Sequence, residues 1–188
     1  MKTIKELEKG SIWEKGKVTT IGSQDLDEKT ILALNEALKA AKSEKNVLYL
    51  SMPYSKNEIE TRLTYILFNE NINFQQATDL VKKLPIEIND KFFWTMPEIV
   101  ELLKERENID LLIIDPLDMM DLISLNGDTR EERSIDIVKR IKKLANDLDI
   151  GIILTSHIKR GNVEDDDLKE GKEIAALSDK YFAIKGVR

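Results

Sequence analysis

The 188-residue chain predicts an α/β fold, with a mainly parallel central sheet flanked by helices. Two runs point there first. Ile109-Asp110-Leu111-Leu112-Ile113-Ile114-Asp115 and Ile150-Gly151-Ile152-Ile153-Leu154-Thr155-Ser156 are short and aliphatic, as strands covered on both faces are. The third observation is order: β-rich runs alternate with segments whose apolar residues recur at helical spacing, which calls for right-handed crossovers between parallel strands.

Taken in sequence, residues 1–16 are mixed and charged, with Gly10 and Gly16 as breaks. Lys17-Val18-Thr19-Thr20-Ile21 reads as the first strand, closed by Gly22, and Ser23 to Glu28 reads as a polar connection. Ile31, Leu34, Leu38 and Ala41 then set a helix through about Lys42, and Asn46 to Ser51 forms a second strand closed before Pro53. Ser55-Lys56-Asn57-Glu58 has the capping-box spacing of a helix start, followed by Ile59, Leu63, Ile66 and Leu67 on one face. A helical piece from about Phe74 to Leu84 leads to a short strand at Pro85 to Ile88.

Thr95-Met96-Pro97-Glu98 is a second capping box, with proline in the first turn where its missing N–H costs nothing. After the central strand, a mixed connection from Asp118 breaks at Gly127-Asp128. The helix that follows presents Ile135, Val138, Ile141, Leu144, Ala145 and Leu148 to the core and a charged face to solvent. A polar stretch from His157 to Lys172, expected to be a mobile loop, separates the Ile150 strand from a last one near Lys180 to Ile184. No internal repeat or linker divides the chain, so residues 1–188 are expected to form one domain.

Composition narrows the chemistry. There is no cysteine and one histidine, which excludes thiol catalysis, thiolate metal sites and His-rich metal centres. No apolar run approaches bilayer length and the first residues carry no signal-peptide hydrophobic region, so a cytoplasmic protein without membrane contact is expected. The net charge of −6 lacks the basic excess of a free-standing nucleic-acid binder. Arg130, Arg133, Lys139, Arg140, Lys142 and Lys143 form a basic series on the long helix, read as a solvated face.

Two places carry candidate chemistry. Asp115 falls at the carboxyl end of the central strand, where ligands bind in open α/β sheets and where an acid commonly serves a nucleotide-bound magnesium ion. An acid that merely caps the loop is the other reading. Between the first strand and first helix, Gly22-Ser23-Gln24-Asp25-Leu26-Asp27-Glu28-Lys29-Thr30 stands where a phosphate-binding loop, G-x-x-x-x-G-K-[ST], would lie. Lys29-Thr30 has the required ending, but Ser23 and Glu28 occupy the two glycine positions. A side chain at the second of these crowds the phosphate, and Asp25, Asp27 and Glu28 put carboxylates where a triphosphate would sit. Lys-Thr at a helix start also occurs by chance.

An ordered series of segments then resembles the ATPase domain of DnaB-type replicative helicases. Asn46 to Met52 with Ser55 and Thr61-Arg62-Leu63 is similar to that family's second strand and next helix. Leu84 to Asp90 resembles its LPIYIDD segment, and Ile113-Ile114-Asp115-Pro116-Leu117-Asp118-Met119-Met120 its Walker B VIDYLQLM. Ser156-His157-Ile158-Lys159-Arg160 resembles SQLNR, and Asp167-Leu168-Lys169-Glu170 resembles DLRES.

The resemblance implies a RecA-like P-loop NTPase fold, ATP and magnesium as cofactors, and a place in DNA replication. It assigns Ser23, Glu28, Lys29 and Thr30 to the nucleotide, with Lys29 on the β/γ-phosphates. Thr30 and, through water, Asp115 go to magnesium, and His157 to sensing the γ-phosphate. Pro53 stands where the family has the glutamate that polarises the attacking water; such general-base help is worth roughly 10²–10⁴ in rate. Lys159 and Arg160 are candidate DNA contacts, set against the acidic run Glu164 to Asp167 nearby.

These departures favour a degenerate member, a pseudo-ATPase acting as an interaction or regulatory protein beside a replicative helicase or other replication proteins, with self-association expected. The alternative is an active, ATP-dependent hexameric DNA helicase domain with an atypical P-loop.

Overall fold

The computed structural model describes residues 10–70, 72–120, 130–157 and 169–184. Six strands form one sheet: β1 (Val18–Ser23), β2 (Val47–Ser51), β3 (Ile86–Asp90), β4 (Leu111–Asp115), β5 (Gly151–His157) and β6 (Lys180–Ile184). Their order is β3-β2-β4-β5-β1-β6, and every pairing is parallel. The expected parallel α/β architecture is present.

The helices cover both faces. Those on one side are α1 (Leu26–Lys42), α2 (Lys56–Phe68) and α3 (Phe74–Val81); on the other are α4 (Met96–Lys104), α5 (Arg130–Leu148) and α6 (Lys169–Leu177). Strand alternation divides the core accordingly. Tyr49, Leu111, Ile113 and Ile153 pack toward α1 to α3, while Leu48, Leu50, Leu112, Ile114, Ile152 and Leu154 pack toward α4 and α5. Both faces of β4 are therefore dry, which is why its residues read as an unbroken aliphatic run.

Local signals explain most element starts. Ser55 and Thr95 close capping boxes with Glu58 and Glu98, and Pro97 sits within the first turn of α4. Lys91 and the Thr95 backbone and hydroxyl donate to Glu98 and hold its carboxyl down to about 2.

Several boundaries differ from expectation. The third helix stops at Val81, because Lys82 and Lys83 turn the chain, and β3 runs two residues further than Ile88. On α5 the buried stripe is Ser134, Ile137, Val138, Ile141 and Ala145; Ile135 is only half-buried and Leu148 lies exposed near the helix end. Within the polar stretch after Ser156, residues 158–168 lie outside the described residues, as do 121–129 of the connection after Asp118.

The segment before β1 is held more firmly than its mixed composition suggests. Glu36 of α1 is fully buried and accepts from the Ile12 N–H at 3.0 Å and from Lys39 Nζ at 2.6 Å. This brings Trp13 over Gly151, where an added Cβ would lie 2.3 Å from Trp13 Cε3 and 3.1 Å from the Glu14 carbonyl oxygen. Gly151→Ala is therefore expected to cost about 1–3 kcal/mol by overpacking. Urea unfolding measures it, and an unchanged midpoint would mean that Trp13 is not seated there.

Candidate functional site

The carboxyl ends of β1, β2, β4 and β5 converge. Parallel register sets Ser51 of β2 beside Asp115 of β4, and Ser23 of β1 beside His157 of β5. Most sequence-predicted site residues thus share one end of the sheet.

The connection from β1 to α1 is short. β1 ends at Ser23 and α1 begins at Leu26, leaving Gln24 and Asp25 between them. Asp25 is the N-cap, and its Oδ1 accepts from the backbone N–H groups of Asp27 at 2.7 Å and Glu28 at 3.3 Å. Ser23 Oγ accepts from the Asp25 N–H at 3.1 Å and donates to Glu28 Oε2 at 3.1 Å. Leu26 to Glu28, read from sequence as loop, are therefore helical. An aspartate N-cap followed by acids in the first turn is a strong helix start, because it satisfies orphan N–H groups and complements the helix dipole. Ser23, Glu28, Lys29 and Thr30 are brought together, but around a capped helix.

Lys29 follows in the next part of that turn and is 1% exposed. Among the described residues, its Nζ is buried without a hydrogen-bond partner. Burial lowers the pKa of its ammonium, against the attraction of Asp118, Asp115 and Asp25. A buried ammonium without a partner is costly and suits a place kept for an anion.

Asp115, fully buried, is encircled by hydroxyls. Thr30 Oγ1 donates to its Oδ2 at 2.8 Å, Tyr49 Oη to the same oxygen at 2.6 Å, and Thr155 Oγ1 to Oδ1 at 2.5 Å. Burial, and then the adjacent Asp115 charge, raise the Tyr49 phenol well above its ordinary pKa, so it stays a donor. Tyr49 and Thr155 were missed in the sequence. Their signal was present, since a hydroxyl inside a run of buried aliphatics needs an acceptor.

Two further contacts shape the rim. Asp118, in the short 3-10 turn Leu117–Met119, accepts from the His157 backbone N–H at 2.6 Å and from Ser156 Oγ at 3.4 Å. This ties β4 to β5 and leaves the His157 side chain exposed at the end of β5. Across the site, Asp27 accepts from Tyr54 Oη at 2.7 Å and pairs with Arg62 at 2.9 Å, while the Arg62 guanidinium lies 4.1 Å from the Tyr54 ring centroid. Burial, with Asp27 as acceptor, pushes the Tyr54 phenol up to about 12. This cluster latches the α1 start to α2, and nothing in the motif reading anticipated it. Pro53 lies two residues beyond β2, on the rim.

The remaining candidates do not assemble. Lys159 and Arg160 lie outside the described residues. In the basic series on α5, Arg140 pairs with Asp136 and Lys143 with Asp147 along the exposed face, whereas Lys142 is half-buried and reaches Asp179 at 3.1 Å and the Leu177 carbonyl at 3.0 Å, tying α5 to the segment before β6. Among the described residues no group of three or more His, Asp or Glu side chains is placed to hold a metal, and no helix is long and apolar enough to cross a membrane.

Comparison with known proteins gives a consistent picture. Residues 2–171 match the family model described as the DnaB-like helicase C terminal domain. Two curated relatives, each described as a probable plasmid replicative DNA helicase, come from Chlamydia trachomatis and its serovar L2 and are 26% identical over 190 residues. The match takes in 92% of this chain and 41% of each relative, so the chain spans less than half the length of these curated relatives.

Among solved structures, one described as an ATPase domain matches with a TM-score of 0.73 and 18% identity, over 90% of this chain and 69% of that one. A DnaB-like replicative helicase, solved together with its interactions with primase, matches with a TM-score of 0.75 and 20% identity, over 89% and 46%. At such identities the structural likeness speaks for the fold alone, and that fold is RecA-like.

Proposed function

Because the chain belongs to the DnaB-like helicase C-terminal domain family, we propose that it is a replicative-helicase core homologue that contacts nucleotide through Lys29 and turns it over poorly. It serves as an interaction or regulatory protein in DNA replication. The observation that carries this reading is the two-residue turn between β1 and α1. A phosphate-wrapping loop needs backbone N–H groups that point inward over several residues. Here those residues are in helix, and Asp25 already takes two of the N–H groups.

The residues present fit the family's cofactors in part. The buried Lys29 ammonium suits a phosphate. Thr30 would meet magnesium through an oxygen lone pair while its hydroxyl hydrogen stays on Asp115, and Asp115 would meet the ion through a water. Magnesium would supply charge neutralisation on the phosphates. His157, in register with Ser23 at the end of β5, would take the γ-phosphate-sensing role. Pro53 offers neither a titratable group nor an N–H, so nothing there polarises an attacking water.

Self-association follows from family membership, and primase is a partner class carried over from the DnaB-like helicase described with it. The second reading, an ATP-hydrolysing hexameric helicase domain, draws support from the Thr30–Asp115 bond, which keeps the hydroxyl and acid of a magnesium site together.

Titration of wild type and Lys29→Ala with a fluorescent ATP analogue and magnesium separates these. The expected result is weak binding that Lys29→Ala abolishes, with steady-state hydrolysis no faster than in that variant. Hydrolysis that depends on Lys29 would favour the helicase reading, and absence of binding at high protein concentration would remove that reading and the Lys29 contact, leaving an interaction role without nucleotide.

A further inference from the structure

We infer that Asp25 is an internal stand-in for phosphate: its carboxylate occupies the anion seat at the start of α1, and a polyphosphate engages Lys29 only by displacing it. The inference rests on the reading above that Lys29 marks a phosphate site, and adds how access to that site is controlled.

The start of a helix is an anion seat because its first N–H groups lack intrahelical partners and the aligned peptide dipoles favour negative charge there. α1 is 17 residues long and its start faces the convergent strand ends. The groups a phosphate would use include the N–H of Asp27 and of Glu28, and both are donated to a single oxygen, Asp25 Oδ1. The cap is itself fixed from behind, since the Asp25 N–H is donated to Ser23 Oγ.

Lys29 points to the same ligand. Its Nζ is buried and unpartnered among the described residues, although Asp25, Asp115 and Asp118 are its charged neighbours. The Asp25 carboxylate, held on backbone amides, makes no hydrogen bond with that ammonium, and an anion with several phosphate groups has oxygens enough for both the amides and the lysine. Asp25 therefore fills half of a two-part site. Charge repulsion between a bound polyphosphate and a carboxylate on the same amides makes the two occupants mutually exclusive.

The alternative is that Asp25 only caps the helix, and the two differ in what its replacement does. Asparagine caps as well as aspartate but carries no charge, and glycine is a tolerated N-cap. Both variants should fold, which their melting curves check. Calorimetric titration with inorganic tripolyphosphate is then compared for wild type, Asp25→Asn, Asp25→Gly, and each Asp25 variant combined with Lys29→Ala.

Asp25→Asn is expected to bind about tenfold tighter than wild type, Asp25→Gly tighter again, and both gains to vanish with Lys29→Ala. Equal affinity of wild type and the Asp25 variants, all dependent on Lys29, overturns the stand-in while leaving the phosphate site. A gain that survives Lys29→Ala also overturns it. Failure of every protein to bind overturns both the stand-in and the phosphate reading.

Discussion

Replacing Asp115 with alanine is expected to lower the free energy of unfolding by about 3 kcal/mol. Three hydroxyls, those of Thr30, Tyr49 and Thr155, are donated to this carboxylate inside the protein. Removal of the acceptor leaves buried donors to find partners in a space shaped for none. The sign of the effect carries the information. A buried acid kept solely for a magnesium-bound water would cost the apoprotein stability, and its removal would then be neutral or stabilising. Tyr49→Phe should be milder, about 1.5 kcal/mol, since one bond to a charged group is lost and the carboxylate keeps two donors. Denaturant unfolding of both variants without nucleotide or magnesium is the measurement. An Asp115→Ala protein as stable as wild type would show that the hydroxyl ring contributes nothing to the fold.

Hydrolysis should rise by roughly 10²–10⁴ in the double variant Glu28→Gly with Pro53→Glu, the increment general-base assistance commonly provides. The placement is favourable because Ser51 is in register with Asp115, which puts residue 53 at the rim of the strand ends. Glycine at 28 weakens the first turn of α1 by about 1 kcal/mol and removes the side chain bonded to Ser23. Pro53→Glu alone should gain less, because the Glu28 carboxylate would still crowd and repel the phosphate. Phosphate release at saturating ATP measures both. If the double variant binds nucleotide normally and turnover does not increase, the deficiency lies elsewhere than in the missing base.

Most of the scaffold was legible in the sequence because strand and helix periodicity are local. Leu111 to Ile114 and Ile152 to Leu154 announce buried parallel strands by composition alone, and the Ser55 and Thr95 capping boxes mark two helix starts. The α1 start was legible too. Asp25 and Glu28 have capping-box spacing, a signal obscured by their position inside a resemblance to a phosphate loop. The α5 stripe was misread at Ile135 and Leu148, since either choice satisfies helical spacing and only the neighbouring sheet selects Ile137.

The site divides along the same line. From sequence alone came an acid at the end of a buried strand, a lysine and a threonine at a helix start, and a proline where the family carries its base. The tertiary structure decided what surrounds them. Thr30, Tyr49 and Thr155 lie 85, 66 and 40 residues from Asp115 along the chain, and Asp27 reaches Tyr54 and Arg62 on another element. Such partners have no sequence spacing to betray them, because parallel strand register and helix packing, rather than chain proximity, bring them within hydrogen-bond distance.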